Sequence, residues 1–287
     1  MNTTLPLARL RSVFIAACAL LSLHVSADEP SSTEAPAWTF PASITLVSDY
    51  IFRGQSQTWG KPALQAGIEA DHRSGFYAGI SGSNVSDHWL AGANTEIDLY
   101  AGFRGPIAGD LSFDIGAVQY LYPGADWKKS AFDGYNGSNS LDTLEPYAAL
   151  TWKWLTLKAG VVVNEYFGWS NNNSPPAGGF AGDFDAGITD DTSGSHYTEL
   201  NAAYPLATCW TLSAQLGRQV IRNSTGIDVT YGKVGLIRAF PHGISAGAFY
   251  YMSDEPDAFK DFLSLANAHS DSDIARNTVV FSLTQAF

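Results

Sequence analysis

Charged side chains recur at every second position in segments whose intervening positions are apolar, and such charges could line a water-filled passage. In segment 94–104, for example, Glu96 and Asp98 alternate with Ile97 and Leu99. An extended strand points successive side chains to opposite faces, so one face collects the charges. They would set the ion selectivity of a pore, or form a paired internal network in a closed barrel. We interpret them as pore-lining. The set comprises Asp49, Arg53, Glu69, Asp71, Glu96, Asp98, Arg104, Asp114, Glu145, Lys153, Lys158 and Glu199.

Histidine and serine side chains could instead build the hydrolytic site of a lipid-modifying enzyme. Such a site needs a histidine within hydrogen-bond reach of a serine, and a third group that orients the histidine. The chain has neither a GxSxG nucleophile elbow nor the recognisable motif of the outer-membrane phospholipases. The sequence therefore predicts no catalytic residue. A hydrogen bond between His196 and a serine of a neighbouring strand would restore the enzyme alternative.

Two acidic clusters could supply oxygen ligands to Ca²⁺. They comprise Asp183, Asp185, Asp190 and Asp191 in one predicted loop and Asp271 and Asp273 in another. Their spacing fits no defined calcium-binding loop, so we interpret both as solvated acidic loops. CxxC, HExxH and Walker patterns are also missing from the sequence, which predicts no metal and no cofactor.

The elements that would position the charges are alternating segments, each near the ten residues or so that a tilted membrane strand needs. We predict about twelve strands. They span residues 44–53, 63–73, 75–85, 94–104, 111–122, 143–154, 155–166, 195–204, 209–221, 228–238, 244–252 and 278–287.

The connectors between these segments alternate between short and long, with 222–227 as the one short connector where a long one is expected. Outer-membrane barrels have short periplasmic turns and long extracellular loops, whereas a soluble β-sandwich gives no reason for this alternation. The sequence therefore predicts an all-β fold, a single antiparallel transmembrane β-barrel.

The composition suits a barrel in which apolar residues alternate with polar ones and form no long apolar run, because 13% of the residues are aromatic and only 15% are charged. The net charge of −12 argues against nucleic acid as a partner, since phosphates require a basic surface. We predict that aromatic residues near the strand ends form interfacial girdles. They are Trp38, Tyr50, Phe52, Trp59, Trp89, Tyr120, Tyr122, Trp152, Trp154, Trp210, Tyr250 and Tyr251.

The N-terminus has the pattern of an export signal. Arg9 and Arg11 precede a short apolar stretch, and Ala27 ends a small-residue cleavage site. We predict a signal peptide over 1–27, a flexible leader over 28–43 and the barrel over 44–287. Residues 15–18 also resemble a lipoprotein box, which leaves a lipidated Cys18 as an alternative.

The C-terminus has the pattern of a closing strand. Phe281, Leu283 and the terminal Phe287 share one face at a period of two. A final strand that ends on an aromatic residue is typical of outer-membrane barrels, in which it guides assembly. We predict that these three residues are the assembly signal, read by the barrel-assembly machinery.

The first two hairpins resemble the TorF-type porin family of bacterial outer-membrane proteins. The resemblance lies in residues 48–58, SDYIFRGQSQT, in 74–85, SGFYAGISGSNV, and in 96–103, EIDLYAGF. It covers residues 44 to 123, while the second half shows only general barrel patterning. The resemblance implies a barrel and a channel, and it supplies no catalytic residue and no established solute.

Together these patterns predict a passive porin of the outer membrane for small hydrophilic solutes, with a modest preference for cations because carboxylates outnumber cations in the inward set. Lipid and lipopolysaccharide would surround it. A structural or adhesin-type barrel with a filled lumen remains an alternative. The loop over 167–194 could fold inward and narrow the path.

Overall fold

The computed structural model describes residues 36–131, 140–173 and 187–287, which form a closed antiparallel barrel of twelve strands. We number these β1 to β12 in chain order. They are Ala42–Val47, Ala63–His72, Phe76–Asn84, Thr95–Ala108, Leu111–Leu121, Thr143–Trp152, Leu155–Val161, His196–Ala207, Trp210–Val220, Val229–Ala239, Ile244–Ser253 and Thr278–Ala286. Each strand pairs with the next, and Leu283 of β12 lies opposite Leu46 of β1, which closes the barrel. The predicted fold class and strand number are confirmed.

The two faces of the wall follow the alternation in the sequence. In β2, Leu64 is 58% exposed on the outside, whereas its neighbour Gln65 is 5% exposed and points inward. Apolar side chains cover the outside on every strand, and many of the inward side chains are polar groups or tyrosines. Closure satisfies the backbone hydrogen bonds of all twelve strands, which is the condition for a sheet to lie in lipid.

The connectors alternate in length as predicted. The short turns and the two ends of the described chain lie at one end of the barrel, and the long connectors lie at the other. We call the long-connector end the mouth. Several boundaries differ from the prediction, and β4 extends to Ala108, four residues beyond its predicted end. The segment 28–43 is not all leader, because β1 begins at Ala42 and Trp38–Thr39 pairs with β2. Strand β1 ends at Val47 and β7 at Val161, several residues earlier than predicted, because the chain turns into connectors there.

The long connectors carry short elements of their own. Three two-stranded pairs join Ile51–Phe52 to Gln55–Ser56, Gly187–Ile188 to Ser224–Thr225, and Phe262–Leu263 to Asp271–Ser272. Short 3-10 helices lie at Trp127–Lys129, Tyr166–Gly168, Pro241–Gly243 and Asp257–Phe259. Within the described ranges, no helix is long and apolar enough to cross a membrane.

The aromatic residues divide into two groups, which corrects the predicted girdles. Trp38, Trp152, Trp154 and Trp210 lie exposed at the short-turn end, as an interfacial girdle requires, and Tyr250 is exposed on β11. Others are buried because the long connectors fold over the mouth and pack there. These are Tyr50, Trp89, Tyr120 and Tyr122, with Phe52 and Trp59 packed against the same cluster, while Tyr251 points into the lumen.

Tyrosine rings lie against the inner wall, each opposite a glycine of the neighbouring strand. The pairs are Tyr77 with Gly102, Tyr100 with Gly79, Tyr147 with Gly116, Tyr197 with Gly160, and Tyr231 with Gly217. A Cβ on Gly102 would lie 2.5 Å from Cζ of Tyr77. Glycine is therefore needed at these positions so that each ring can lie flat and leave space in the lumen.

Candidate pore-lining site

The structure places eleven of the twelve predicted pore-lining residues inside the barrel. Nine of the eleven lie on strands, as predicted. Asp49 and Arg53 lie instead on a connector that enters the lumen. Lys153 is wrongly predicted, because β6 ends at Trp152 and Lys153 occupies the turn to β7. Its backbone has a φ of 56°, and its ammonium lies 5.0 Å from the ring centroid of the outward-facing Trp152.

Near the short-turn end, an arginine holds two carboxylates. Nη2 of Arg104 lies 2.5 Å from Oε1 of Glu69 and also bonds the carboxylate of Asp71. The Glu69 residue is fully buried, at 0% exposure. The Arg104 guanidinium carbon lies 4.4 Å from the ring centroid of Tyr77, so the ring also contacts this cation.

A second group occupies the middle of the lumen on the same side. The Tyr77 hydroxyl donates to Asp114 at 2.6 Å and lies 2.5 Å from the Tyr147 hydroxyl. The ammonium of Lys158 lies 4.0 Å from the ring centroid of Tyr147. It also lies opposite Glu199 across the pair β7 and β8. These contacts join β3, β5, β6 and β7 into one polar surface.

Near the mouth, two neighbouring carboxylates of β4 receive hydroxyl donors. Glu96 accepts from Tyr50 at 2.7 Å and from Tyr122 at 2.5 Å. Asp98 accepts from Ser81 at 2.9 Å, and its other oxygen is buried without a hydrogen-bond partner. An unpaired buried carboxylate oxygen is a place where water or a cation can bind.

The connector that enters the lumen is residues 48–58, which we call the inner hairpin. Its base is fixed by Asp49, which accepts from Ser56 at 2.6 Å and from Thr58 at 2.9 Å. Burial raises the pKa of the Asp49 carboxyl, and these two hydroxyl donors oppose that shift. Its tip is a two-residue turn in which Arg53 and Gly54 have φ of 47° and 83°, the geometry of a type I′ hairpin.

Arg53 at the tip crosses to the far wall. Its guanidinium bonds Glu145 of β6 at 2.7 Å and Gln219 of β9 at 2.8 Å. It also lies 3.6 Å from the ring centroid of Tyr197 on β8. Residues 48–53 were predicted as a continuation of β1 and 54–58 as part of the connector that follows, and local alternation gave no indication that this segment turns inward.

The remaining strands, β9 to β12 and β1, present a wall rich in small hydroxyl side chains. Thr45 and Thr284 hydrogen-bond each other at 2.9 Å across the closing seam. The inward hydroxyl residues of this wall are Ser43, Thr45, Thr211, Ser213, Ser245, Ser282 and Thr284. The lumen is therefore polarised across its width, because its strand carboxylates lie on β2, β4, β5, β6 and β8, and none lies on β9 to β12 or β1.

Sequence reasoning missed one lumen cation and the inward positions of Tyr77, Tyr197 and Tyr231. Lys233 of β10 is buried inside the barrel, with its ammonium 5.6 Å and 5.5 Å from the ring centroids of Phe249 and Tyr251. Its alternation with outward Val234 and Leu236 could have identified it.

On the strands and inner hairpin of the described chain, eight carboxylates face four cations inside the barrel. The carboxylates are Asp49, Glu69, Asp71, Glu96, Asp98, Asp114, Glu145 and Glu199, and the cations are Arg53, Arg104, Lys158 and Lys233. Lys233 replaces Lys153 in the predicted set, so the excess of carboxylates is the same as predicted.

The hydrogen bond between His196 and a serine that would restore the enzyme alternative is not formed within the described part of the chain. Nδ1 of His196 lies 3.4 Å from the backbone oxygen of Gly194, which is not the serine contact that an enzyme would need. His88 does hydrogen-bond Ser264 at 2.6 Å, but Ser264 is fully buried, at 0% exposure. A substrate could not reach that hydroxyl in this conformation.

The acidic clusters form no metal centre in the described ranges, where no group of three or more His, Cys, Asp or Glu side chains is placed to hold an ion. Asp183 and Asp185 lie outside the described residues. Hydrogen bonds from Ser193 lower the pKa of the exposed Asp191, as expected of a carboxylate in a solvated loop.

Several solved structures are similar to this chain. A KdgM porin aligns with a TM-score of 0.45 and 6% identity, over 86% of this chain and 98% of the other. A KdgM porin in complex with disordered oligogalacturonate gives 0.47 and 7%, over 87% and 98%. A NanC porin gives 0.48 and 10%, over 86% and 98%.

No curated protein matches the chain in sequence. A family model does, over residues 31–287, which is most of the chain and includes every element described above. That family is described as "Bacterial protein of unknown function (Gcw_chp)", and the chain belongs to it.

Proposed function

We propose that this protein is an outer-membrane porin that lets small hydrophilic solutes diffuse passively. The observation that carries the proposal is the wall itself, a closed barrel of twelve strands that is apolar outside and lined with charges and hydroxyls inside. Eight strands are just filled by side chains and sixteen or more leave a wide channel, so about twelve leave room for a narrow one.

The outer-membrane location and the channel activity are also supported by the resemblance of residues 44–123 to TorF-type porins and by the predicted export and assembly signals. The barrel-assembly machinery would insert the chain, and lipid and lipopolysaccharide would surround it.

We infer a modest preference for cations. Eight carboxylates against four cations leave the lumen negative, and a low-dielectric wall focuses that field on permeating ions. Ion pairs such as Arg104 with Glu69 neutralise part of the excess, so a bias is expected and not strict selectivity. The charge of this lumen favours neutral or cationic solutes.

A structural barrel with a filled lumen is the second candidate. It is favoured by the number of lumen charges that are already paired, above all Arg53 with Glu145, whose side chains are both almost fully buried. A structural role would need this network to be closed and would predict no ion conductance.

Planar-bilayer recording across a salt gradient distinguishes the two candidates. A porin gives discrete conductance steps, and a cation preference places the reversal potential on the cation side. A reversal potential on the anion side would contradict the preference for cations. Folded barrels often migrate anomalously on gels until they are boiled. If protein that shows this gel shift gave no current, the structural role would be supported.

A further inference from the structure

The inner hairpin occupies the lumen just inside the mouth. Tyr50 on the hairpin donates to Glu96 of β4, and Phe52 packs 5.7 Å from Tyr120 of β5 between ring centroids. On the other side, a Cβ at Gly54 would lie 2.8 Å from Cβ of Tyr231 of β10. The hairpin therefore reaches from one side of the barrel to the other.

The loop over 167–194 was expected to be able to narrow the path, and the described part of that loop packs against the inner hairpin. Phe167 lies buried 6.0 Å from Phe52 between ring centroids, so the loop packs on the hairpin near the mouth. Residues 174–186 lie outside the described residues. Among the described connectors, it is the one after β1 that places a charged tip against the barrel wall.

Arg53 is what holds that tip in place. Its three contacts, to Glu145, Gln219 and the Tyr197 ring, lie on β6, β9 and β8. The ion pair is buried, and removing one partner of a buried pair leaves the other charge uncompensated. The tip is therefore fixed by side-chain contacts to the wall, in which the hydrogen bonds of Arg53 add to the packing of Phe52 and Gly54.

We propose that Arg53 is the selectivity residue of this channel: the inner hairpin forms the constriction, and the pairing of Arg53 with Glu145 sets both its width and its charge. This rests on the proposed porin function. The guanidinium is a fixed positive charge in a lumen of excess carboxylates, so it limits the cation preference that those carboxylates produce.

The test uses two variants that break the same ion pair from opposite sides. Arg53→Ala removes the positive partner, and Glu145→Gln removes the negative one. Both release the tip, so we expect the single-channel conductance to rise in both, about twofold or more. The reversal potentials should move in opposite directions, with Arg53→Ala about two- to fourfold more cation-selective and Glu145→Gln less so.

Lys153→Ala is the matched control. It also removes one cation from the full-length chain, but the residue lies in a short turn outside the lumen. Its conductance and reversal potential should equal those of the wild type. Arg53→Lys keeps the positive charge and a long side chain at the same position. It replaces Arg53→Ala if Arg53→Ala does not show the gel shift of a folded barrel. We expect Arg53→Lys to raise conductance without moving the reversal potential.

The outcomes separate the two levels of inference. If the wild type conducts and both pair-breaking variants have its conductance and reversal potential, the role of Arg53 is overturned. The proposed porin function would then still hold. If the wild type gave no current and Arg53→Ala did, the constriction would be supported and passive diffusion through the wild type would be overturned. If neither the wild type nor any folded variant gave a current, both the porin function and the role of Arg53 would be overturned.

Discussion

The pairing of lumen tyrosines with glycines predicts that a single added methyl group will destabilise the barrel. The test is Gly102→Ala on β4. Its new Cβ would lie 2.5 Å from Cζ of Tyr77 and 2.6 Å from the backbone oxygen of Ile115. That oxygen belongs to the ladder between β4 and β5, so it has little freedom to move away. The ring of Tyr77 must therefore shift.

The size of the effect follows from what holds that ring. Overpacking a tight site costs about 1–3 kcal/mol. Moving Tyr77 also weakens its hydrogen bonds to Asp114, at 2.6 Å, and to Tyr147, at 2.5 Å. Each is worth about 1 kcal/mol or more, since one acceptor is a carboxylate. We therefore expect the free energy of unfolding to fall by about 2–5 kcal/mol.

Gly105→Ala is the control, because it lies on the same strand and has room for a methyl group. The nearest atom to its new Cβ is Cε1 of Phe113, at 3.5 Å, an ordinary van der Waals contact. Both variants gain the same reduction in unfolded-chain entropy, about 0.5–1 kcal/mol. The difference between them therefore isolates the clash.

The assay is urea unfolding of detergent-solubilised protein, with the folded fraction read from unboiled gels. Gly102→Ala should have a lower midpoint than the wild type, and Gly105→Ala an equal or higher one. In the background of Tyr77→Ala, Gly102→Ala should lose only part of its effect, because the Ile115 contact remains. Equal midpoints for the two alanine variants would refute the argument.

Deleting the terminal Phe287, which is 72% exposed and whose N–H bonds the backbone of β1, should lower the amount of assembled barrel in outer-membrane fractions far more than deleting the loop residue Asn172. Equal assembly of the two would show that this end is not the sorting signal. Arg104→Met should lower the free energy of unfolding by about 3–5 kcal/mol, because buried Glu69 loses its cation. Arg218→Met breaks an exposed pair and should change it by at most about 1 kcal/mol, and similar losses from both variants would contradict the burial argument.

The wall of the barrel could be predicted from the sequence because the alternation within each strand shows which side chains face inward and which face outward. A period of two assigns every residue of a segment to one face, so Glu69 and Glu96 could be placed inside without knowledge of their partners. Connector lengths then gave the direction of each strand. Lys153 shows the limit, because alternation continues through a turn that only the backbone geometry reveals.

The partners inside the lumen could not be predicted, because they are far apart in sequence. Arg53 and Glu145 are separated by 92 residues, and no local pattern connects them. Tyr120 and Trp152 look alike as aromatic residues near strand ends, yet one is buried beneath the long connectors and the other faces outward. Amphipathic rings suit both places, so their residue type alone does not distinguish a lumen from a girdle.

The wall and the constriction are built from different parts of the chain, and this separation bears on how selectivity can change. The tyrosines and glycines that fix the wall lie on the strands, where a change of size disturbs two neighbours at once. The inner hairpin contacts the wall through its side chains, chiefly Arg53 on Glu145, Tyr50 on Glu96 and Phe52 against Tyr120, and its base is fixed by Asp49. A substitution at the hairpin tip can therefore alter the charge and width of the path while the strand pairing that closes the barrel remains the same.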